Sequence, residues 1–339
     1  MQLAELGEFA LIERLRQIVA VERPDIVVGI GDDVAVLAAQ GDTLLLATVD
    51  SQVEGVHFLR QRTPPAQLGQ RALAVNLSDI AAMGGSAEYG LISLGLPASL
   101  ELSWVEELYR GLRAEADRWG VALVGGNVAR SSGAIWIDIT LLGRARRDEL
   151  LRRSGARPGD LVCVTGKLGD SAAGLRLLHD PALAEVVGDG EALVARHLAP
   201  TPRLAEAAVI ARSRQATAMI DLSDGLSSDI GHICTRSVVG VRLWAERLPI
   251  TADARAIAGA TGVAPWRLAL SGGEDYELCF TVPPAVADGL AAAVLRETGT
   301  PVTIIGEVLT AAEGRSVRLP DGTETPLEAR GWEHFPAAM

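Results

Sequence analysis

The chain has 339 residues, a formal net charge of −12 and a pI near 5.0, with 48% hydrophobic and 22% charged residues. That length holds two ordinary domains, and that balance supports a packed core and excludes a disordered chain. The acidic surplus argues against a nucleic-acid partner, which needs a basic footprint.

In chain order, the N-terminal MQLAELGEFALIERL is amphipathic and acidic, unlike a signal peptide. IVVGI (26–30) and TLLLATV (43–49) read as buried strands. Residues 64–83 read as a helix, YGLISLGL (89–96) as a strand, and 102–120 as an amphipathic helix closed by Gly120. VALVGG and AIWIDITLLG (121–126 and 134–143) are further strands. The arginine-rich stretch 144–160, ending in Pro158, Gly159 and Asp160, reads as a boundary. Beyond it LVCVTG is a strand and DSAAGLRLLH a helix, and Thr201–Pro202 open another helix with proline at its first position. AMIDLSDGLSSDIGHIC runs from strand into helix, YELCFTV and VTIIGEV are strands, and AVADGLAAAVLRETG lies between them as a helix. The expectation is an α/β (α+β) protein of two domains, residues 1–145 and 150–339. No apolar run reaches the roughly 18 residues of a membrane span.

Carboxylates recur beside these elements. Asp32 and Asp33 follow a strand, Asp50 stands at a strand end and Asp79 at a helix start. Asp221 and Asp224, three apart, would share one face of a first helical turn. Carboxylates without His or Cys companions are hard oxygen ligands that suit Mg²⁺ and do not suit zinc. Each site alone also reads as a helix cap or an Asp-Gly turn; their repetition beside small residues is what favours a ligand. Lys167 is the one lysine, so phosphate charge must be met by metal ions or arginines. VTGKLGDSAAGL is not a Walker loop, since Leu168 stands where Ser or Thr is needed, and it reads as a structural turn in preference to a phosphate contact. The sequence has no GxSxG elbow, no HExxH and no GxGxxG after a strand. Cys163, Cys234 and Cys279 are odd in number and set among apolar residues, as expected of buried, reduced thiols in a cytoplasmic protein.

Together GIGDDVAVL, TVDSQVEGVHF, ALAVNLSDIAAMGG, VTGKLGDSAAGL, APTPRL, IDLSDGLSSDIGHI, SGGEDYELCFTV and the terminal GWEHF resemble the thiamine-monophosphate kinase family, within the aminoimidazole-ribonucleotide-synthetase-like superfamily. The segments run in family order from residue 29 to 335. The resemblance implies an N-terminal mixed sheet that pairs across a homodimer, a C-terminal α/β domain, and conversion of ATP and thiamine monophosphate to ADP and thiamine diphosphate. Carried over residue by residue, it implies Asp33, Thr48, Asp50, Asp79, Asp221 and Asp224 as magnesium ligands. Arg153, Ser223 and Gly126 are implied as ATP contacts, and His57, Glu274 and Trp332 as contacts to the thiamine substrate. GGNVAR departs from the family's GGDTTR, placing Asn127 at a metal-ligand position with a carbonyl oxygen but no charge. His57 also reads as a packing histidine and Trp332 as a residue closing the C-terminal core.

The nucleophile would be a phosphate oxygen whose second pKa is about 6, so no general base is expected. The obstacle is charge: two unit charges at 4 Å repel by about 4 kcal/mol at intermediate dielectric. Several Mg²⁺ ions on aspartates would offset it. Two rivals remain on sequence grounds. One is another ATP-using enzyme of the superfamily, against which the EGVHF and GGEDYE segments and the HFPAAM ending argue. The other is a non-catalytic nucleotide-binding relative, for which Asn127 is the best argument.

Overall fold

The computed structural model describes residues 7–19, 21–188, 190–328 and 331–332. Residues 1–6 of the amphipathic N-terminus and residues 333–335 of GWEHF fall outside the described residues. The elements in order are α1 (Glu8–Val19), β1 (Ile26–Val28), β2 (Ala35–Ala38), β3 (Thr43–Val53), α2 (Pro65–Ala82), β4 (Ser86–Leu96), α3 (Leu102–Trp119), β5 (Ala122–Arg130) and β6 (Trp136–Arg146). There follow β7 (Leu161–Thr165), α4 (Asp170–His179), α5 (Glu191–Leu198), α6 (Leu204–Ser213), β8 (Ala218–Asp221), α7 (Leu226–Ser237) and β9 (Val239–Trp244). The last are α8 (Ala252–Ala260), α9 (Pro265–Ser271), β10 (Leu278–Val282), α10 (Pro284–Thr298), β11 (Val302–Thr310), β12 (Arg315–Arg318) and β13 (Glu324–Pro326).

Two sheets organise the chain. The first has the order β1-β2-β3-β6-β4-β5, and the second β13-β12-β9-β11-β7-β10-β8. Among the strands of the described residues, only β4–β5 and β9–β12 pair parallel. In β3 the residues Leu44, Leu46, Thr48 and Gln52 are buried while those between them are not. That period of two puts one face against α2 and α3. Leu73, Leu77, Leu108 and Leu112 from these helices pack there on Ile137 and Ile139 of β6. Gly120 closes α3 in the left-handed conformation that glycine adopts at low cost.

Helix α2 belongs to both halves. Its Ala81 and Ala82 sit in a second cluster with Ile210, Met219 and Phe280, which seats its last turn on the second sheet. α2 also lies directly against α3. A Cβ at Gly111 would stand 1.8 Å from the Ala66 carbonyl oxygen, and one at Gly69 2.1 Å from that of Leu108. Only glycine lets the two backbones come so close.

Four local expectations are corrected. Asp79 lies in the last turn of α2, not at a helix start. Asp50 lies inside β3, because the polar DSQV stretch keeps pairing with β6 as far as Val53. Asp221 ends β8 and Asp224 sits in the turn before α7, so they do not share a helical turn. Pro202 precedes α6, whose cap is Arg203. Arg203 is drawn inward by a double hydrogen bond to the buried Glu277 carboxylate at 2.6 and 2.5 Å. The cysteines are buried and unpaired, as expected.

Candidate active site

The loop after β1, the end of α2 and the end of β8 converge. An oxygen of Asp33, one of Asp79 and one of Asp221 all lie within 4.8 Å of one another. Each carboxylate has a fixed partner. Thr48 Oγ1 donates to Asp79 Oδ2 at 2.6 Å. Ser78 Oγ donates to Asp221 Oδ2 at 2.6 Å, joining α2 to β8. The Arg153 guanidinium donates twice to Asp33 Oδ1, at 3.2 and 2.6 Å, which leaves Asp33 Oδ2 buried without a hydrogen-bond partner. The Arg153 backbone N–H donates to Asp32 at 3.2 Å.

Crowding like charges in a buried place disfavours ionisation. Burial, then the charges of Asp221, Asp50 and Asp33, hold Asp79 well above the carboxylate range. Burial and Asp33 push Asp221 up to about 7, and burial and Asp33 push Asp32 to about 6. A trio of oxygen donors strained by its own charge, with one orphaned buried oxygen, has the chemistry of a hard divalent cation site.

A second group lies next to it. Asp224, Asp229 and His232 bring ligand atoms within 4.8 Å of one another. Asp229 accepts from the Gly225 N–H at 3.0 Å, and burial, then nearby arginines, lower His232 to about 4, so its imidazole is neutral. Asp229 and His232 were missed in the sequence; an Asp and a His three apart on one helix face were the available signal.

A cavity of about 500 Å³ opens beside these carboxylates, lined by Asp50, His57, Ser223, Asp224, Glu274 and Trp332 among others. Its walls thus gather all three residues expected to meet the substrate. His57 Nδ1 accepts from the Val53 N–H at 3.0 Å, which puts the proton of the neutral ring on Nε2. Trp332 is 51% exposed, a wall and not a core residue, and its backbone N–H donates to the Asp224 backbone carbonyl at 3.0 Å. Glu274 adopts a left-handed φ of 59° and is ion-paired to the buried Arg71, which the sequence reading passed over.

Two expected residues stand apart. Gly126 and Asn127 lie on β5, the exposed edge of the first sheet, three strand spacings or about 14 Å from β3. Gly126 has a local reason to be glycine, since a Cβ there would stand 1.7 Å from the Ile92 carbonyl oxygen. The turn before α4 is structural as read: the Asp275 carboxylate accepts from the Gly169 N–H at 2.8 Å and fills the place an anion would take.

The family model for the AIR synthase related protein N-terminal domain matches residues 31–145, and that for its C-terminal domain matches 157–318. The thiamine-monophosphate kinase of Salmonella typhimurium is 40% identical over 329 residues, covering 97% of this chain and 98% of the relative. The chain belongs to the thiamine-monophosphate kinase family. The Aquifex aeolicus family member is 38% identical over 335 residues, covering 99% of this chain and all of that one. A solved structure described as AaThiL complexed with AMPPCP and TMP superposes with a TM-score of 0.84 at 38% identity, covering 99% of each chain. This thiamine-monophosphate kinase family member is an enzyme, a phosphotransferase with the two-domain AIR-synthase-like fold. Among its described residues no helix is long and apolar enough to cross a membrane.

Proposed function

We propose that the chain transfers the γ-phosphate of ATP directly to thiamine monophosphate, giving thiamine diphosphate and ADP, the last step of thiamine diphosphate synthesis in the cytoplasm. The observation that carries this reading is the convergence of Asp33, Asp79 and Asp221 beside a cavity walled by His57, Glu274 and Trp332. Asp50 and Asp224 line that cavity, and their charges reach Asp79 and Asp221. Asp33, Thr48, Asp50, Asp79, Asp221 and Asp224 would hold several Mg²⁺ ions, whose charge lets two polyanions approach. Arg153 keeps Asp33 oriented and, with Ser223, stands where the triphosphate would lie.

The attacking oxygen of thiamine monophosphate is largely ionised at neutral pH, so the protein has no proton to remove. Its bond to the γ-phosphorus forms as the bond from that phosphorus to the β-γ bridging oxygen breaks, and ADP leaves with the electron pair. What the side chains contribute is alignment. The Trp332 face attracts the thiazolium cation by roughly 0.5–2 kcal/mol. Trp332→Ala is therefore expected to raise KM for thiamine monophosphate about tenfold with kcat within threefold; an unchanged KM removes Trp332 from the site. The overall test is coupled ADP release. Release that requires thiamine monophosphate supports the kinase, no turnover at high magnesium overturns it, and retention of configuration at a chiral γ-phosphate overturns direct transfer.

The division of labour follows the halves, nucleotide and metal on residues 1–145, completed by 150–339. The same proposal includes a homodimer. Val49, Thr140 and Leu91 stand in one register row on the sheet face opposite α2, with Tyr89 two rows along and so on the same face. Val49 is 63% exposed, and Leu91 and Tyr89 are exposed too. A bare apolar sheet face seeks a partner. Asn127 shares that face through its row with Ser93 and Asp138, so it would stand at the subunit boundary. Light scattering is expected to give a dimer for the wild type and a monomer for Val49→Glu; an unchanged mass places the boundary elsewhere.

A further inference from the structure

Arg71 lies on the buried face of α2, 1% exposed, yet it is a cation. Burying a guanidinium is costly unless every donor is met and its charge is cancelled. Nε donates to Gln52 Oε1 at 3.0 Å, one Nη to the His197 carbonyl at 2.5 Å, and the other Nη to Glu274 Oε1. Gln52, His197 and Glu274 all line the substrate cavity. One side chain thus grips three wall residues from behind. Glu274 moreover sits in a conformation that non-glycine residues avoid, and a strained wall residue keeps its place only if the surroundings over-determine it.

We propose that Arg71 is a positioning residue for substrate binding: by holding Oε1 it fixes Glu274 at the cavity wall, so that the cationic ring of the substrate meets a held carboxylate and the Trp332 face. This rests on the functional reading above.

The charge has a second effect. His197 Nδ1 is 3.3 Å from Glu274 Oε2 and 3.1 Å from Ser171 Oγ of α4. Burial, then Arg71, pushes His197 down to about 4, against the pull of Glu274 and with a smaller push from His179 of α4. Arg71 therefore keeps the neighbouring imidazole neutral. Without that cation, His197 is left beside an uncompensated carboxylate and gains affinity for a proton.

The test is a double-mutant cycle read in Kd for thiamine monophosphate by calorimetry and in KM and kcat. At pH 8, Arg71→Gln is expected to weaken Kd and KM tenfold or more with kcat within threefold. Glu274→Gln should do the same, and the double variant should be no worse than either alone within twofold. Arg71→Lys, which keeps a cation, should return Kd to within threefold of wild type. As pH falls from 8 to 6, the ratio of R71Q to wild-type Kd should shrink, because a protonated His197 stands in for the lost cation. The ratio removes the titration of the substrate itself. Multiplicative losses in the double variant, a kcat loss at unchanged Kd, an Arg71→Lys defect as large as that of R71Q, or a pH-independent ratio would each overturn the proposal. If R71Q does not fold, Arg71→Lys enters the cycle in its place, with a two- to threefold loss that vanishes on the Glu274→Gln background. Absence of turnover in the wild type ends the kinase reading, while the Kd cycle still decides Arg71.

Discussion

Asp79→Asn is expected to lower kcat about 10³-fold and at the same time to raise the stability of the metal-free protein. The first effect follows from removing one carboxylate of a trio whose oxygens lie within 4.8 Å of one another and whose charge is needed to hold divalent cations. The second follows from its cost. Burial and three neighbouring carboxylates disfavour the charged form of Asp79, so a neutral amide that still accepts from Thr48 relieves that repulsion. Thermal unfolding at pH 8 in chelator measures this. A variant that is less stable and nearly as active would make Asp79 a structural partner of Thr48 and nothing more.

The sign of the pH dependence is set by the same crowding. Asp221 is raised from 3.8 to about 7. A group whose pKa is higher folded than unfolded contributes stability that is fully present below the unfolded pKa and lost as pH rises through the folded one. The metal-free protein is therefore expected to lose stability between pH 4 and 8, by at most roughly 4 kcal/mol from this group. Millimolar Mg²⁺ should flatten that slope, because a bound cation favours the ionised carboxylates.

Gly111→Val should be the most damaging single change away from the site. A side chain at Gly111 must displace the Ala66 carbonyl, 1.8 Å from where the new Cβ would stand. Backbone cannot move aside as a flexible side chain can, so α3 must leave α2 and carry Leu108 and Leu112 out of the core. The expected loss is about 3–5 kcal/mol, a fall in Tm of roughly 10 °C. Activity of the surviving folded fraction should drop too, since α2 carries both Arg71 and Asp79 and small displacements cost catalysis heavily. Gly259→Ala is the control: its position has open space around it, and replacing a helical glycine there should stabilise by about 0.5–1 kcal/mol. A Gly111→Val protein as stable as wild type would mean that the two helices do not need their close contact.

Much of this was legible before the fold. The helices over 64–83 and 102–120 are both legible: the second shows in its 3.6-residue periodicity and Gly120 marks its true end, while the first is buried at nearly every position from Leu68 to Ala82 and carries no such stripe. The misreadings have physical causes. β2, β12 and β13 are three or four residues long and carry too little pattern. Asp50 reads as a strand end because the apolar run stops there, yet the ladder to β6 continues; strands that carry a polar site lose their hydrophobic signature where they become functional. The capping preference of aspartate predicts Asp79 at a helix start, a local rule overridden by a contact with Thr48 across 31 residues. Arg71 gave no signal, because an arginine in a helix ordinarily faces water.

The sequence by itself determined the family, the succession of strands and helices, and the residue types able to bind a hard cation and a charged ring, since motif identity and periodicity are properties of neighbouring residues. Only the tertiary structure decided that Ser78 meets Asp221 across 143 residues and Arg71 meets Glu274 across 203, and that Asn127 stands away from the other expected ligands. The reason is that such meetings depend on how two sheets pack against the ends of one shared helix, and no local preference along the chain records that distance.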